Sequence, residues 1–121
     1  MNKQYQEQWQ RYTATWKAKT EVEKRALFEQ CLSPDCIYRD PLVVTQGWDA
    51  LVAYVLEFHK TIPGGHFVTR GFQSHNSRSI AEWTLCAADG SELGVGISYG
   101  EYNAQGQLTS MTGFFDSPEE Q

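Results

Sequence analysis

Cys36-Ile37-Tyr38-Arg39-Asp40-Pro41 is a short, partly apolar run that closes on a carboxylate and a proline. A run of this kind forms a short buried strand, and it stands directly ahead of an amphipathic helix and a long series of strands. A strand that carries Asp40 towards an apolar interior takes a titratable group out of water, which is how folds prepare a general base or acid. The same residue beside Pro41 also suits a turn, where its side chain accepts from backbone N–H groups, and the residues alone leave both roles open.

On the N-terminal side, Tyr5, Trp9, Tyr12 and Trp16 recur at helical spacing, which predicts a helix over Asn2–Lys19 with one aromatic face. Gln6, Gln8, Gln10, Arg11 and Lys17 fill much of the remainder, so the stripe must lie on something apolar: a core, or the wall of a ligand site. Thr20 with Glu23 forms a capping box that opens a second helix, whose inner face is expected from Val22, Ala26, Leu27, Cys31 and Leu32. Ser33-Pro34-Asp35 ends it, because proline disfavours helical geometry before it and has no N–H to donate.

On the C-terminal side, Thr45-Gln46-Gly47 starts a third helix with Leu51, Val55, Phe58 and Ile62 along one side, and Pro63-Gly64-Gly65 stops it. Four strands follow, over His66–His75, Arg78–Ala87, Glu92–Asn103 and Gln107–Asp116. Asp89-Gly90 and Asn103-Ala104-Gln105-Gly106 are hairpin chemistry, so the last three strands are expected to be antiparallel neighbours. Gly94, Gly96 and Gly100 share a face with Ser98 and lower the wall there, leaving room for a bend or an approaching group. Helices followed by a curved antiparallel sheet define an α+β architecture, expected as one domain over residues 1–121, with Ser117-Pro118-Glu119-Glu120-Gln121 as a frayed tail.

Composition narrows the partners. The 121 residues suffice for one core without disulfide staples. Ten Lys and Arg against fifteen Asp and Glu, with no basic run, would repel a phosphate backbone, so nucleic acid is not an expected partner. The N-terminal residues carry no apolar leader and no segment is long enough to cross a bilayer, so the expectation is a cytoplasmic protein without a membrane partner. Cys31, Cys36 and Cys86 have no repeated CxxC spacing, and they read as buried free thiols rather than nucleophiles. His59, His66 and His75 show neither HxH nor HExxH spacing, and there is no phosphate-binding glycine loop, so neither a metal nor another cofactor is expected.

Tyr38-Arg39-Asp40-Pro41, Gly47-Trp48-Asp49-Ala50-Leu51, Pro63-Gly64, Ala81-Glu82-Trp83 and Gly113-Phe114-Phe115-Asp116 follow one another in an order that spans nearly the whole chain. In this the sequence resembles the SnoaL-like branch of the nuclear transport factor 2-like superfamily, which also includes the ketosteroid isomerases. The resemblance implies a cone-shaped barrel of three helices on a strongly curved sheet, with an apolar pocket between them and a homodimer formed through the outer sheet face. Within that family some members isomerise, cyclise, dehydrate or hydrolyse small cyclic substrates, and others only bind or scaffold, so fold alone does not choose the chemistry.

By the same resemblance Asp40 matches the general-base aspartate of the isomerases, and Tyr12 is similar to their oxyanion-donating tyrosine. The position of their protonated aspartic acid falls at Ser98, a weaker donor, and the acid/base aspartate and histidine of SnoaL-like cyclases fall at Gly113 and Met111. The residues therefore give two readings. In the first, Asp40 is the base and Tyr12 and Ser98 are donors in an isomerase-like proton transfer, with Trp16, Trp48, His59, Phe67, Trp83, Met111 and Phe114 as the wall around a compact, mostly apolar carbonyl compound. In the second, the protein is a non-catalytic ligand-binding or dimerisation module, and Tyr12 is a core residue.

Overall fold

The structure is a computed structural model that describes residues 2–116. Its elements run α1 (Asn2–Thr15), α2 (Glu21–Cys31), β1 (Leu32–Asp40), β2 (Val43–Gln46), α3 (Gly47–Thr61), β3 (His66–His75), β4 (Arg78–Cys86), β5 (Glu92–Tyr102) and β6 (Leu108–Phe114). The six strands form one sheet in the order β2-β1-β6-β5-β4-β3, antiparallel throughout except for the β1–β6 pair. The sheet does not close, and the helices lie against its inner face. The expected tail at Ser117–Gln121 lies outside the described residues.

The aromatic stripe builds the core. Trp9, Tyr12 and Trp16 are buried, while Tyr5 packs on Tyr102 with ring centroids 4.6 Å apart. Helix α1 ends at Thr15, short of Lys19, and the bonds Trp16 N to Thr13 O and Lys17 N to Ala14 O tighten its exit. The carbonyls of Thr15 and Ala18 are taken by the Lys24 ammonium, a cation at a helix C-terminus where the macrodipole favours it.

The capping box of α2 is present, with Glu23 N donating to Thr20 Oγ1 and Thr20 N donating to Glu23 Oε1. The inner face of α2, however, is Lys24, Phe28 and Cys31. Val22 is 79 % exposed and Ala26 is also exposed, because the packed side of α2 is rotated away from the expected one. The helix ends at Cys31, and Pro34 lies inside β1 rather than in a turn. The strand tolerates it because the β1–β6 register skips between Leu32 and Ile37, where a residue without an N–H leaves no ladder bond broken. Thr45 and Gln46, expected to open α3, belong to β2, which pairs with β1, and the chain turns into α3 at Gly47 with φ +83°.

Three hairpins shape the rest. Asn76 and Ser77 both take positive φ between β3 and β4, the geometry of a two-residue reversal. Asp89 accepts from Ser91 N, and Asn103 accepts from Gln105 N and Gln107 N, so each turn is tied by its own side chain. Register shifts within the β1–β6, β3–β4, β4–β5 and β5–β6 pairs bend the sheet around the helices.

The inward glycines of β5 do different things along its length. A Cβ at Gly100 would come within 3.3 Å of the Trp9 ring, and one at Gly96 would overlap the Trp83 ring at 2.2 Å. At Gly94 nothing among the described residues lies within 4 Å of an added Cβ, and the backbone there borders an open cavity.

Candidate functional site

Between the open ends of α3 and the sheet lies a cavity of about 600 Å³. Trp16 from the turn after α1, Tyr54 and Phe58 from α3, Phe67 from β3 and Trp83 from β4 make it an aromatic chamber. Trp16 meets Phe67 edge to face at 5.3 Å, Phe67 meets Trp83 likewise at 5.0 Å, and Phe58 stacks on Phe67 at 5.5 Å, so the wall is packed rather than loose. Exposed Leu42 and Leu93 border the mouth, as does Asp116, which is exposed.

Asp40 is half-buried in this wall. Alternation along β1 puts Tyr38 and Asp40 on the same face, and the chain then turns into β2 within two residues. The turn supplies two backbone donors to one carboxylate oxygen, Leu42 N at 2.8 Å and Val43 N at 3.1 Å from Oδ1. Two phenols donate to the other, Tyr38 at 2.6 Å and Tyr54 at 2.8 Å from Oδ2. A carboxylate offers about four lone-pair directions, so these donors fill them all. The turn role and the wall role left open by the sequence are thus both filled by Asp40.

Behind this chamber is a recess of about 50 Å³, room for a single polar group, bordered by Tyr12, Ser98 and Gly113. Trp16, Tyr38, Phe67, Trp83 and Phe115 line both spaces. Ser98 Oγ accepts from Trp83 Nε1 at 2.9 Å, and because an indole can only donate, the serine keeps its own proton for another partner. Burial pushes the Tyr12 phenol far up from its ordinary value, so it too stays protonated, as a donor. Burial likewise raises Tyr38 and Tyr54, with the Asp40 carboxylate adding to the effect at both.

Of the residues expected around the site, the structure brings together Asp40, Trp16, Phe67 and Trp83 in the chamber, with Tyr12 and Ser98 in the recess. Four lie elsewhere. Trp48 donates from Nε1 to Ser33 O at 2.9 Å and packs on Phe28, sealing α3 to α2. His59 follows Phe58 and so points about 100° further round α3, where its Nε2 lies 2.8 Å from Lys24 Nζ. Met111 faces inward but is 1 % exposed, enclosed beneath the helices between Tyr38 and Gly100. Phe114 is on the outer sheet face and 59 % exposed, because Gly113 next to it takes the inward position.

Tyr38, Tyr54 and Phe115 also line the chamber, beyond the residues expected there. Tyr38 was legible, two residues before Asp40 on one strand face, and Tyr54 falls on the helix side marked by Leu51 and Phe58. The cysteines are buried, and burial pushes Cys31 up to about 12 and Cys36 up to about 11, away from nucleophilic use. Among the described residues no His, Cys, Asp or Glu cluster could hold a metal, and no helix is long and apolar enough to cross a membrane.

The arrangement of three helices on an unclosed, curved sheet is the α+β cone of nuclear transport factor 2-like proteins. A family model described as a SnoaL-like domain matches residues 9–114, and the chain belongs to that family. Among solved structures, it is similar to an Agrobacterium tumefaciens protein described as a candidate isomerase of the SnoaL-like family, with 26 % identity and a TM-score of 0.87 over 95 % of this chain and 99 % of that one. A Jannaschia protein described as a candidate SnoaL-like polyketide cyclase shares the fold at 13 % identity, with a TM-score of 0.77 over 95 % of this chain and 87 % of that one. An NTF2-like protein of unknown function from Exiguobacterium shares it at 18 % identity, with a TM-score of 0.72 over 91 % and 98 %. A comparison with curated protein sequences found no match.

Proposed function

We propose that this protein takes a compact, mostly apolar cyclic carbonyl compound into the aromatic chamber and acts on it by isomerase-like proton transfer. Asp40 is the base, which takes the proton when the substrate displaces one of the two phenols that donate to its Oδ2, and Tyr12 and Ser98 donate to the carbonyl oxygen where negative charge collects. The observation that carries this reading is a half-buried carboxylate set in a mostly apolar wall, beside a recess whose two hydroxyl protons have no acceptor among the described residues. The likeness to the Agrobacterium protein, whose description is that of a candidate isomerase, supports the same class of reaction.

Proton transfer can be read without knowing the natural substrate. Cyclic enones and ketones incubated with the protein in heavy water should gain deuterium at the carbon next to the carbonyl, followed by NMR. Exchange in wild type that falls about a hundredfold or more in Asp40→Asn supports the base, that being the size expected for general-base catalysis. Exchange equal in the two proteins would remove Asp40 from the chemistry.

A second reading, a non-catalytic binding or dimerising module, is favoured by two observations. All four acceptor directions of Asp40 are occupied, and Ile80, Val95, Ile97 and Phe114 leave the outer sheet face apolar and exposed. Under this reading that face pairs two copies into a homodimer. Sedimentation of wild type against Ile97→Lys tests it: a dimer that the lysine splits supports the pairing, and a wild-type monomer refutes it.

A further inference from the structure

The protons of Tyr38 and Tyr54 are committed to Asp40 Oδ2, at 2.6 and 2.8 Å. Asp40 has no lone pair left, because Leu42 N and Val43 N hold Oδ1. A phenol that donates its one proton still has acceptor lone pairs, and a carboxylate has no proton to give. On the side of the chamber formed by these three residues, the polar atoms can therefore accept hydrogen bonds and cannot donate them. The recess holding Tyr12 and Ser98 has the opposite character, with two hydroxyl protons that meet no acceptor among the described residues.

We infer that Asp40 sets the polarity of this wall, and that the ligand group read by Tyr38 and Tyr54 is a hydrogen-bond donor, a neutral hydroxyl of phenol or enol type. This rests on the reading that the chamber takes a cyclic ligand, and it adds the second functional group that the ligand carries. A carbonyl facing the wall would leave its oxygen opposed to phenol oxygens, each unsatisfied in an apolar setting. A hydroxyl facing it would complete a chain from ligand O–H to phenol oxygen to carboxylate, in which each bond strengthens the next. Burial, reinforced by the carboxylate, holds both phenols protonated, so the chain persists across the neutral range.

The polarity should invert when Asp40 loses its charge. In Asp40→Asn, the amide oxygen can keep the two backbone donors, which leaves its NH₂ facing the phenol oxygens. The tyrosines then accept from the amide, and their own protons turn towards the chamber.

The probe is 4-nitrophenol, whose phenolate absorbs visible light while the neutral form does not, with 4-nitroanisole as the same ring lacking the proton. In wild type, 4-nitrophenol should bind as the neutral phenol and stay neutral to a higher pH than the free probe. The anisole should bind about tenfold more weakly, the worth of one hydrogen bond to a charge-coupled acceptor. In Asp40→Asn the preference should reverse, so that binding increases the phenolate absorbance. Wild type binding the phenolate, or both probes equally, would overturn the inference while leaving a ligand-binding chamber in place. If neither probe binds, the inference and the ligand-binding reading both fall. The wild-type comparison decides even where Asp40→Asn does not fold.

Discussion

Two charges are drawn into this molecule, and their partners differ in kind. Lys24 is fully buried, and its ammonium meets the backbone carbonyls of Thr15 and Ala18 and the ring of His59, all belonging to the joint between α1 and α3. Asp40 is half-buried, and half of its partners are phenols that line an open chamber. A charge satisfied by backbone inside a closed joint can act only on stability. A charge satisfied by side chains at a cavity wall also decides what those side chains offer to a ligand, so the two sites should separate cleanly when each is perturbed.

The largest effect is expected at the closed joint. Lys24→Met keeps the length of the chain but leaves two carbonyls without donors, at a cost of about 3 kcal/mol read from urea unfolding. Binding of 4-nitrophenol at the Asp40 wall, which Lys24 does not line, should be unchanged, and a matching loss of binding would break the comparison. At the open wall the phenols should be unequal. Tyr38→Phe removes a buried donor from Asp40 Oδ2 and should cost about 2 kcal/mol, while Tyr54→Phe, where water can enter from the chamber, should cost about 1 kcal/mol.

A pH series sharpens the same contrast. Burial pushes Lys24 down to about 8, against an ordinary value of 10.5, so between those limits the unfolded chain holds more protons than the native one. Stability owed to Lys24 therefore rises with pH across that window, and the advantage of wild type over Lys24→Met should grow from pH 8 towards pH 10. The buried tyrosines and cysteines titrate in the opposite sense at high pH, but they are common to both proteins and cancel in the difference. His59 is lowered by burial and by the neighbouring Lys24, so its contribution is lost as the pH falls through 6.5, and His59→Asn should flatten the acid side of the profile. The smallest effect is at the mouth: Gly94→Ala adds a methyl where nothing among the described residues lies within 4 Å, and its stability should stay within about 0.5 kcal/mol of wild type.

What was legible in the sequence follows from what is local. The capping box, the hairpin turns and the aromatic stripe are set by neighbours a few residues apart, and each stands where expected. The strand through Pro34 and the short β2 were not legible, since both depend on pairing with distant segments. Lys24 contradicted the expected inner face of α2, because a lysine is inside only when carbonyls from another turn of chain are waiting for it. At the site, Asp40, Phe67 and Trp83 line one chamber, whereas period-two alternation puts Phe114 on the outer face beside the inward Gly113. Trp48 and His59 were misplaced because a helix residue one step from the cavity side turns to a different neighbour.

The central claim is that the chamber receives small cyclic ligands under the control of Asp40, and a thermal-shift panel of planar phenols and cyclic enones against wild type and Asp40→Asn tests it directly. A ligand of the native state raises the midpoint by mass action, about 2.7 kcal/mol at a hundredfold excess over Kd. The account predicts that phenols raise the wild-type midpoint and that the substitution changes the size of that rise. No shift with any compound, or shifts identical in the two proteins, would contradict it.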